Sequence, residues 1–555
     1  MNLRIHSPLL VLAILAAALL FTNLGSGYLW ADEGDTAVLA RNILKSGLPR
    51  AWDGVTFMDS DFGARLNDRL VMVSSPWLQY YVAAASFLAL GENTMAARLP
   101  FAIAGWLTIF VVYRLVWAAT NDRRAAILAA ILTICSVQFL LLGRQARYYS
   151  LAMLLTCLLI DRFLRMTSLR RALLFALIAV LLFHTHPIGI APVFALGALT
   201  LIDRAFSVQR RWFWITSPAV LALTLPWLAL AHTGYTENAA LVPSIRDFFV
   251  RLAQYCIECS SVAPLIGGIA LFVFLLTTWT RFSAKERDLV VVIFASIVSY
   301  AIAMAITQRT AALWVTGVRY TSAVIPLLAA AAAVLILRVG HGRTPILVPL
   351  LLVFVCTKFA QITPWTFWAD KKPDPENKIL ALHVPTKTLD AFLPREDVLF
   401  LRDLRQPNVG TLGQCIEFLR QHAARDDLII TNYESEPLYF HTKLPQGMKV
   451  SPQDAIHDVA RRRGLPDYVF GLGQVRWVVW RFNWDDYLGI HWSDVSEHLR
   501  SDGAEFADVA EIKETGWENR ENLHFHRFAG DVYLFPQDTD LAAAHIFRIR
   551  WPNHL

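Results

Sequence analysis

The chain has 555 residues, 55% of them apolar and 17% charged, with 18 tryptophans and a mean hydropathy of +0.42. Soluble cores of this length do not need so much apolar surface, so an ordinary globular protein is excluded and a polytopic membrane protein is indicated. The net charge of +6 does not imply a nucleic-acid partner, because the lysines and arginines fall largely in short joints between apolar runs, where membrane orientation places them.

The first apolar run, Pro8 to Leu24, follows Arg4 and reads as an uncleaved anchor rather than a signal peptide, since an acidic cluster follows at once and later segments need a fixed orientation. Further spans are predicted over 97–119, 125–143, 147–162, 172–186, 187–203, 212–231, 262–280, 288–306, 319–338 and 344–362. The basic joints Arg123-Arg124, Arg162 to Arg171, Arg204 to Arg211, Arg281 to Arg287 and Arg338 to Arg343 recur at every second connection and belong on the cytoplasmic side. That parity holds only if Pro76 to Gly91 does not cross. This segment is therefore expected to lie in the outer interface, with Trp77, Tyr80 and Tyr81 at headgroup level. About eleven spans then place the loop 25–96, the joints near Arg144, His186 and Arg319, the loop 232–261 and the tail on the outer side. The unusual polar residues collect there, and polar groups at the bilayer usually carry function.

After Thr363 the apolar runs stop. The expected division is a membrane region over 1–362 and a soluble domain over 363–555, joined by the Pro- and Lys-rich stretch Trp365 to Lys378. Asp427 to Thr431, Trp477 to Trp480 and Val532 to Phe535 read as strands, and Thr411 to Arg425 reads as a helix, which together predict a small α/β domain. No Gly-rich phosphate loop, internal repeat or low-complexity block is present.

Asp32, Glu33 and Asp35 form an acidic cluster just beyond the first span. Carboxylates there serve either as general bases or as caps of a helix running toward Lys45; for Asp35 the capping role is expected. Arg144, Arg147 and Tyr148, at i, i+3 and i+4, would share one helical face. Such a face suits a phosphate through bidentate guanidinium contacts, or anchors the chain by snorkelling. Arg319 has the same two readings. His186, in His184-Thr185-His186-Pro187, suits hydrogen bonding to a substrate or to the fold. Two histidines at i, i+2 point away from each other on a helix, which disfavours one shared metal ion. Cys135, Cys157 and Cys356 lie in apolar spans, whereas Cys256 and Cys259 form a CxxC expected to be a local disulfide or two packed thiols.

A family resemblance rests on several of these stretches in order: Ala31-Asp32-Glu33-Gly34-Asp35, Ala40-Arg41-Asn42-Ile43-Leu44, Pro76 with its aromatics, Gly91-Glu92-Asn93, Ala97-Arg98-Leu99-Pro100 and Arg144-Gln145-Ala146-Arg147-Tyr148, with Arg319-Tyr320 later. Together they resemble the polyprenol-phosphate-dependent membrane glycosyltransferases of the GT-C superfamily, in particular bacterial relatives of protein O-mannosyltransferases and lipid A aminoarabinose transferases. The resemblance implies a GT-C-like fold in the bacterial cytoplasmic membrane. It also implies transfer of a sugar, with inversion, from a polyprenyl-phosphate carrier to a lipid, glycan or protein acceptor on the outer face. Asp32 would be the general base and Glu33 its companion acid. Arg144, Arg147, Tyr148 and Arg319 would face the donor phosphate, and His186 and Tyr320 the substrate cavity. No cofactor is implied with certainty, and a divalent metal stays open.

Two departures qualify the resemblance. Ser74-Ser75-Pro76 lacks the lysine that many relatives carry before this proline, and Arg147-Tyr148-Tyr149 lacks the second aspartate of aminoarabinose-type enzymes, which argues against that sugar. The alternative function is a transporter or flippase of lipid-linked sugars, which commonly shows inverted repeats and helices broken at the midplane. A membrane-anchored binding protein would explain the tail but not the acidic cluster.

Overall fold

The computed structural model describes residues 7–58, 65–235, 244–252, 279–307 and 322–339; beyond 399 it describes chiefly 409–432, 435–445, 475–482, 491–513 and 542–552, with short pieces at 400–401, 404–406, 465–466 and 469. Leu- and Ala-rich runs become helices because only a helix satisfies every backbone group within one apolar segment. The helices are α1 (Ser7–Phe21), α2 (Ala31–Ser46), α3 (Leu78–Leu90), α4 (Thr94–Thr120), α5 (Arg123–Ile134), α6 (Val137–Arg144), α7 (Tyr149–Leu164), α8 (Leu169–Thr185), α9 (Ala191–Ile202), α10 (Ser207–Tyr235), α11 (Ala284–Thr307) and α12 (Val324–Val339). The side chain of Asn93 caps α4 by accepting from the Ala96 amide, and Asp122 caps α5 through the Arg124 amide.

The centre of the bundle is α4, which touches α1, α5, α6, α7 and α12. Ala329 to Ala333 of α12 are all buried, and α12 lies against α5, which contributes buried Ala125, Ala126 and Ala129. Small side chains on both helices permit this close approach.

Among the described residues, three helices are long and apolar enough to cross a membrane, over Thr94–Thr120, Arg204–Leu230 and Ala284–Thr307. The pair α5 and α6, bent by 65°, makes a fourth if it counts as one span. Among the described residues this count neither reaches nor tests the expected total of eleven. The span 344–362 and nearly all of 262–280 lie outside the described residues, and several apolar helices have only 10–17 residues. At 1.5 Å per residue such helices fall short of a hydrocarbon layer of roughly 30 Å.

Two local expectations are corrected. The stretch predicted as one span over 125–143 breaks at Cys135-Ser136, where the Ser136 side chain accepts from the Phe139 amide and starts α6 in a new direction. The Pro76 to Gly91 stretch forms the 13-residue α3, too short to cross, as expected, but of its aromatics Tyr80 is buried in protein whereas Tyr81 is exposed. Tyr80 is buried with its hydroxyl 2.5 Å from that of Ser75. Trp77 Nε1 donates to the Met72 carbonyl, and the Tyr81 hydroxyl donates to the Gly47 carbonyl.

In the tail, α13 (Gly410–His422), α14 (Ser435–Thr442) and α15 (Trp492–Ser501) accompany strands β1 (Leu428–Thr431), β2 (Val475–Trp480), β3 (Glu505–Lys513) and β4 (Ala542–Arg550). The sheet order is β1-β2-β4-β3, with β1 parallel to β2 and the other pairs antiparallel. Alternation along the strands gives the sheet two apolar faces. Ile429, Trp477 and Val479 meet Leu412, Ile416 and Leu419 of α13, while Leu428, Ile430, Val478 and Trp480 meet Val495 and Leu499 of α15. The expected strand at Val532 to Phe535 lies outside the described residues, as do Cys256 and Cys259. β3 and β4 were not anticipated.

Candidate active site

The site is built on the first turn of α2. Trp30 is its extended N-cap residue, and the Trp30 amide donates to Glu33 Oε2 at 3.4 Å, so the reciprocal arm of a capping box comes from Glu33. Asp35, expected as the cap, does not have that role.

Glu33 is fully buried and joins three segments. Arg98 of α4 grips it with both arms of its guanidinium, Nε to Oε1 at 2.8 Å and Nη2 to Oε2 at 2.6 Å, and the Ala146 amide donates to Oε1 at 2.7 Å. A buried carboxylate needs such compensation, because unpaired it would be strongly destabilising. Arg98 also donates to the carbonyls of Leu24, Ser26 and Tyr28, and so fixes the chain entering α2.

Asp32, one residue earlier, points elsewhere and remains partly exposed. Its Oδ2 lies 3.1 Å from Arg147 Nη2, with each side chain about one-seventh exposed. Arg147 Nη1 donates to the Asp32 carbonyl at 3.2 Å and to Thr36 Oγ1 at 3.5 Å. Tyr148 is held beside it, since its amide donates to buried Gln79 Oε1 at 3.1 Å and its ring stacks on His186 at 4.6 Å and 27°. His186 Nδ1 accepts from the Ile188 amide at 3.3 Å, which leaves the proton of a neutral ring on Nε2.

The structure thus brings Asp32, Arg147, Tyr148 and His186 together, and turns Arg144 away. The expected single helical face does not form. α6 ends at Arg144, Gln145 is extended, and α7 begins only at Tyr149. The Arg144 guanidinium donates to the Leu19, Leu20 and Thr22 carbonyls at 2.8 to 2.9 Å, closing the end of α1. Arg319 and Tyr320 lie outside the described residues.

The tail supplies part of the site. Gly34 and Pro437 are in direct contact, which seats the start of α14 on the first turn of α2. Burial raises the Asp35 carboxyl well above the usual carboxylate range, helped by the carboxylates of Glu436 and Asp32 and opposed by Arg147 and Arg65. Arg41 ties the other end of α14 down, donating to Glu92 at 2.8 Å and to the Phe440 carbonyl at 2.9 Å, and lying 4.5 Å over the Phe440 ring. His441 Nε2 accepts from the Leu29 amide at 3.0 Å. Burial, with Arg420, Arg98 and Arg41 nearby, lowers the His441 imidazole to about 3, so the ring stays a neutral acceptor.

Sequence reasoning gave no role to Arg98, Gln79 or Glu436. Arg98 carried a usable signal, a single charge at the mouth of an apolar span. Glu436 carried none. Among the described residues, no three His, Cys, Asp or Glu side chains are grouped to share a metal ion.

Residues 57–230 match the family model described as dolichyl-phosphate-mannose-protein mannosyltransferase. No curated protein matches the chain. Among solved structures, the chain is similar to ArnT from Cupriavidus metallidurans in the apo state, with a TM-score of 0.58 at 16% identity over 90% of this chain and 95% of that one. It is also similar to the same protein bound to undecaprenyl phosphate, with a TM-score of 0.56 at 15% identity over 90% and 96%. A weaker likeness, with a TM-score of 0.40 at 12% identity over 86% of this chain and 69% of that one, is to the archaeal oligosaccharyltransferase AglB from Archaeoglobus fulgidus in complex with an inhibitory peptide and a dolichol-phosphate. The likeness to ArnT runs nearly end to end in both chains and shows a shared overall fold, here with a small mixed sheet in the C-terminal region.

Proposed function

We propose that this chain, with its ArnT-like fold and its mannosyltransferase-family segment, is a glycosyltransferase that moves a sugar from a polyprenyl-phosphate carrier to an acceptor hydroxyl of a lipid, glycan or protein. The observation that carries the reading is the 3.1 Å pair of Asp32 and Arg147, beside Tyr148 and His186, at the place where α2, the α6–α7 break and α14 converge. In the free protein the Arg147 guanidinium stands opposite the Asp32 carboxylate and balances its charge.

In the reaction, the acceptor oxygen attacks the anomeric carbon and the bond from that carbon to the phosphate oxygen breaks. Asp32 takes the acceptor proton, and polyprenyl phosphate leaves with the bonding electrons. One displacement inverts the anomeric centre. Arg147 is the cation placed to meet the negative charge that grows on the departing phosphate. Glu33, engaged by Arg98 and the Ala146 amide, acts as a positioning residue that holds Asp32 and Arg147 in register. Tyr148 and His186, stacked beside Arg147, are the groups assigned to contact the substrate, with α14 seated against α2 on the tail side. The pattern of basic joints supports a site on the outer face of the cytoplasmic membrane, with 1–362 as the proposed membrane region and 363–555 as the proposed soluble part.

The test is incubation of purified, reconstituted protein with radiolabelled polyprenyl-phosphate sugars and hydroxyl acceptors. Transfer of label with release of polyprenyl phosphate is expected. Movement of the intact lipid-linked sugar across the bilayer without release would instead assign the protein as a flippase.

A further inference from the structure

The end of α4 remote from the acidic site opens onto a polar recess, of about 440 Å³, lined by Arg114, Trp117, Asn121, Arg165 and Lys285 with small alanines between them. Arg98 and Arg114 are 16 residues apart on α4, so the recess lies about 24 Å along the helix from the Arg98–Glu33 pair at 1.5 Å per residue. It belongs to the opposite rim of the bundle.

The charge there is not balanced by protein among the described residues. Asp161 is fully buried, and Arg114, Arg162 and Arg165 all converge on it: Arg114 pairs with Oδ2, Arg165 Nη2 lies 3.0 Å from Oδ1, and Arg162 Nε lies 3.5 Å from Oδ2. One carboxylate therefore faces three guanidiniums. Lys285 adds a fourth cation that makes no ion pair among the described residues. Arg114 Nε is buried without a hydrogen-bond partner among the described residues. Asp161 fixes the guanidiniums from behind, and the excess charge of Arg114 and Arg165, which line the recess, is left for a ligand there.

We propose that this recess binds the phosphate-bearing headgroup of an anionic lipid. Guanidiniums recognise phosphate oxygens bidentately, and a tryptophan at the rim is the aromatic residue suited to headgroup depth. Basic pockets between membrane helices on the cytoplasmic side have the chemistry that anionic headgroups require. The sequence places the basic joints around Arg123-Arg124, Arg162 to Arg171 and Arg281 to Arg287 on that side. The alanines give the glycerol and first acyl carbons an uncharged wall.

The experiment reads lipid rather than sugar transfer, so it is independent of the role given to Asp32. Full-length protein in detergent is supplied with phosphatidylglycerol or phosphatidylcholine, and retained lipid is measured by native mass spectrometry alongside the unfolding temperature. Wild type should retain phosphatidylglycerol in preference to phosphatidylcholine and be stabilised by it. Lys285→Gln and Arg165→Gln should each weaken retention by about tenfold, the effect of losing one charge-assisted contact. Arg170→Gln, an exposed arginine outside the recess, should not. Arg165 also pairs with Asp161, so its loss also disturbs the fold. Lys285 is exposed and makes no ion pair among the described residues, which keeps the test clear. Equal retention by wild type and Lys285→Gln overturns the site. Stabilisation by inorganic phosphate alone, with nothing added by phosphatidylglycerol, reassigns it to a free anion and overturns the lipid reading.

Discussion

Gly34 and Pro437 meet so closely that a Cβ on Gly34 would lie 2.5 Å from Pro437 Cδ and 2.6 Å from its nitrogen. Two effects compete in Gly34→Ala. Relieving a glycine within a helix gains roughly 0.5–1 kcal/mol, whereas overpacking costs typically about 1–3 kcal/mol. Backbone on both sides leaves little room to yield, so the clash should win and lift α14, with Glu436, off the acidic turn. Limited proteolysis should show a tail that is cut more readily, and transfer should fall. A protected tail and a raised unfolding temperature would show that helix propensity dominates and that the contact is dispensable.

Asp32 and Glu33 are neighbours in sequence but should respond differently to loss of charge. Asp32→Asn leaves a partly exposed side chain of the same size, so folding should survive while turnover falls by roughly 10² or more, the scale of general-base help. Glu33→Gln strips the charge from a fully buried partner of Arg98, and breaking such a pair costs about 3–5 kcal/mol. Its first symptom should be a lower unfolding temperature. Turnover and thermal unfolding measured on both variants decide the assignment. Normal turnover in folded Asp32→Asn would reduce the cluster to a structural device.

The junction of the tail with the site should weaken in acid. His441 stands at about 3 in the folded protein, below its ordinary value near 6.5, so the neutral ring is the form that folding selects. The stability it contributes is present above the ordinary value and is lost as pH falls toward the folded one. Hydrogen exchange at the Leu29 amide, which donates to His441 Nε2, should therefore accelerate over that interval. In His441→Phe the amide should exchange quickly at every pH. A wild-type rate that is flat over the interval, beyond the intrinsic pH dependence, would show that another group holds the junction.

What the sequence disclosed and concealed follows from the range of the interactions. The helices of the bundle and the strands at Leu428–Thr431 and Val475–Trp480 were readable because apolar periodicity is local. Asp32, Arg147 and Tyr148 stood out as unusual polar residues beside apolar runs. Arg144 was misplaced because i, i+3 spacing presumes an unbroken helix, and the extended Gln145 voids that premise. Tyr80 was expected at a lipid interface and is instead covered by protein, including the Ser75 hydroxyl that its own hydroxyl meets. Glu436 and Pro437 could not be assigned, since nothing near them in the chain reveals that α14 is seated on α2.

Asp35 supplies the last prediction. Its carboxyl is raised well above the ordinary range by burial, then by Glu436 and Asp32, with Arg147 and Arg65 pulling the other way. A raised folded value means that the folded protein prefers the protonated acid. The corresponding stability is complete below the ordinary carboxylate range and is lost as pH rises through the folded value. Asp35→Asn cannot ionise and escapes that loss. Its unfolding temperature should match wild type in acid and exceed it increasingly toward neutral and alkaline pH. Glu436→Gln removes the larger of the two repelling charges, so in that background the further gain from Asp35→Asn should shrink. Parallel unfolding curves for wild type and Asp35→Asn across the whole pH range would mean that Asp35 is ionised without penalty, and that the close approach of α14 to α2 does not create a shared acidic site.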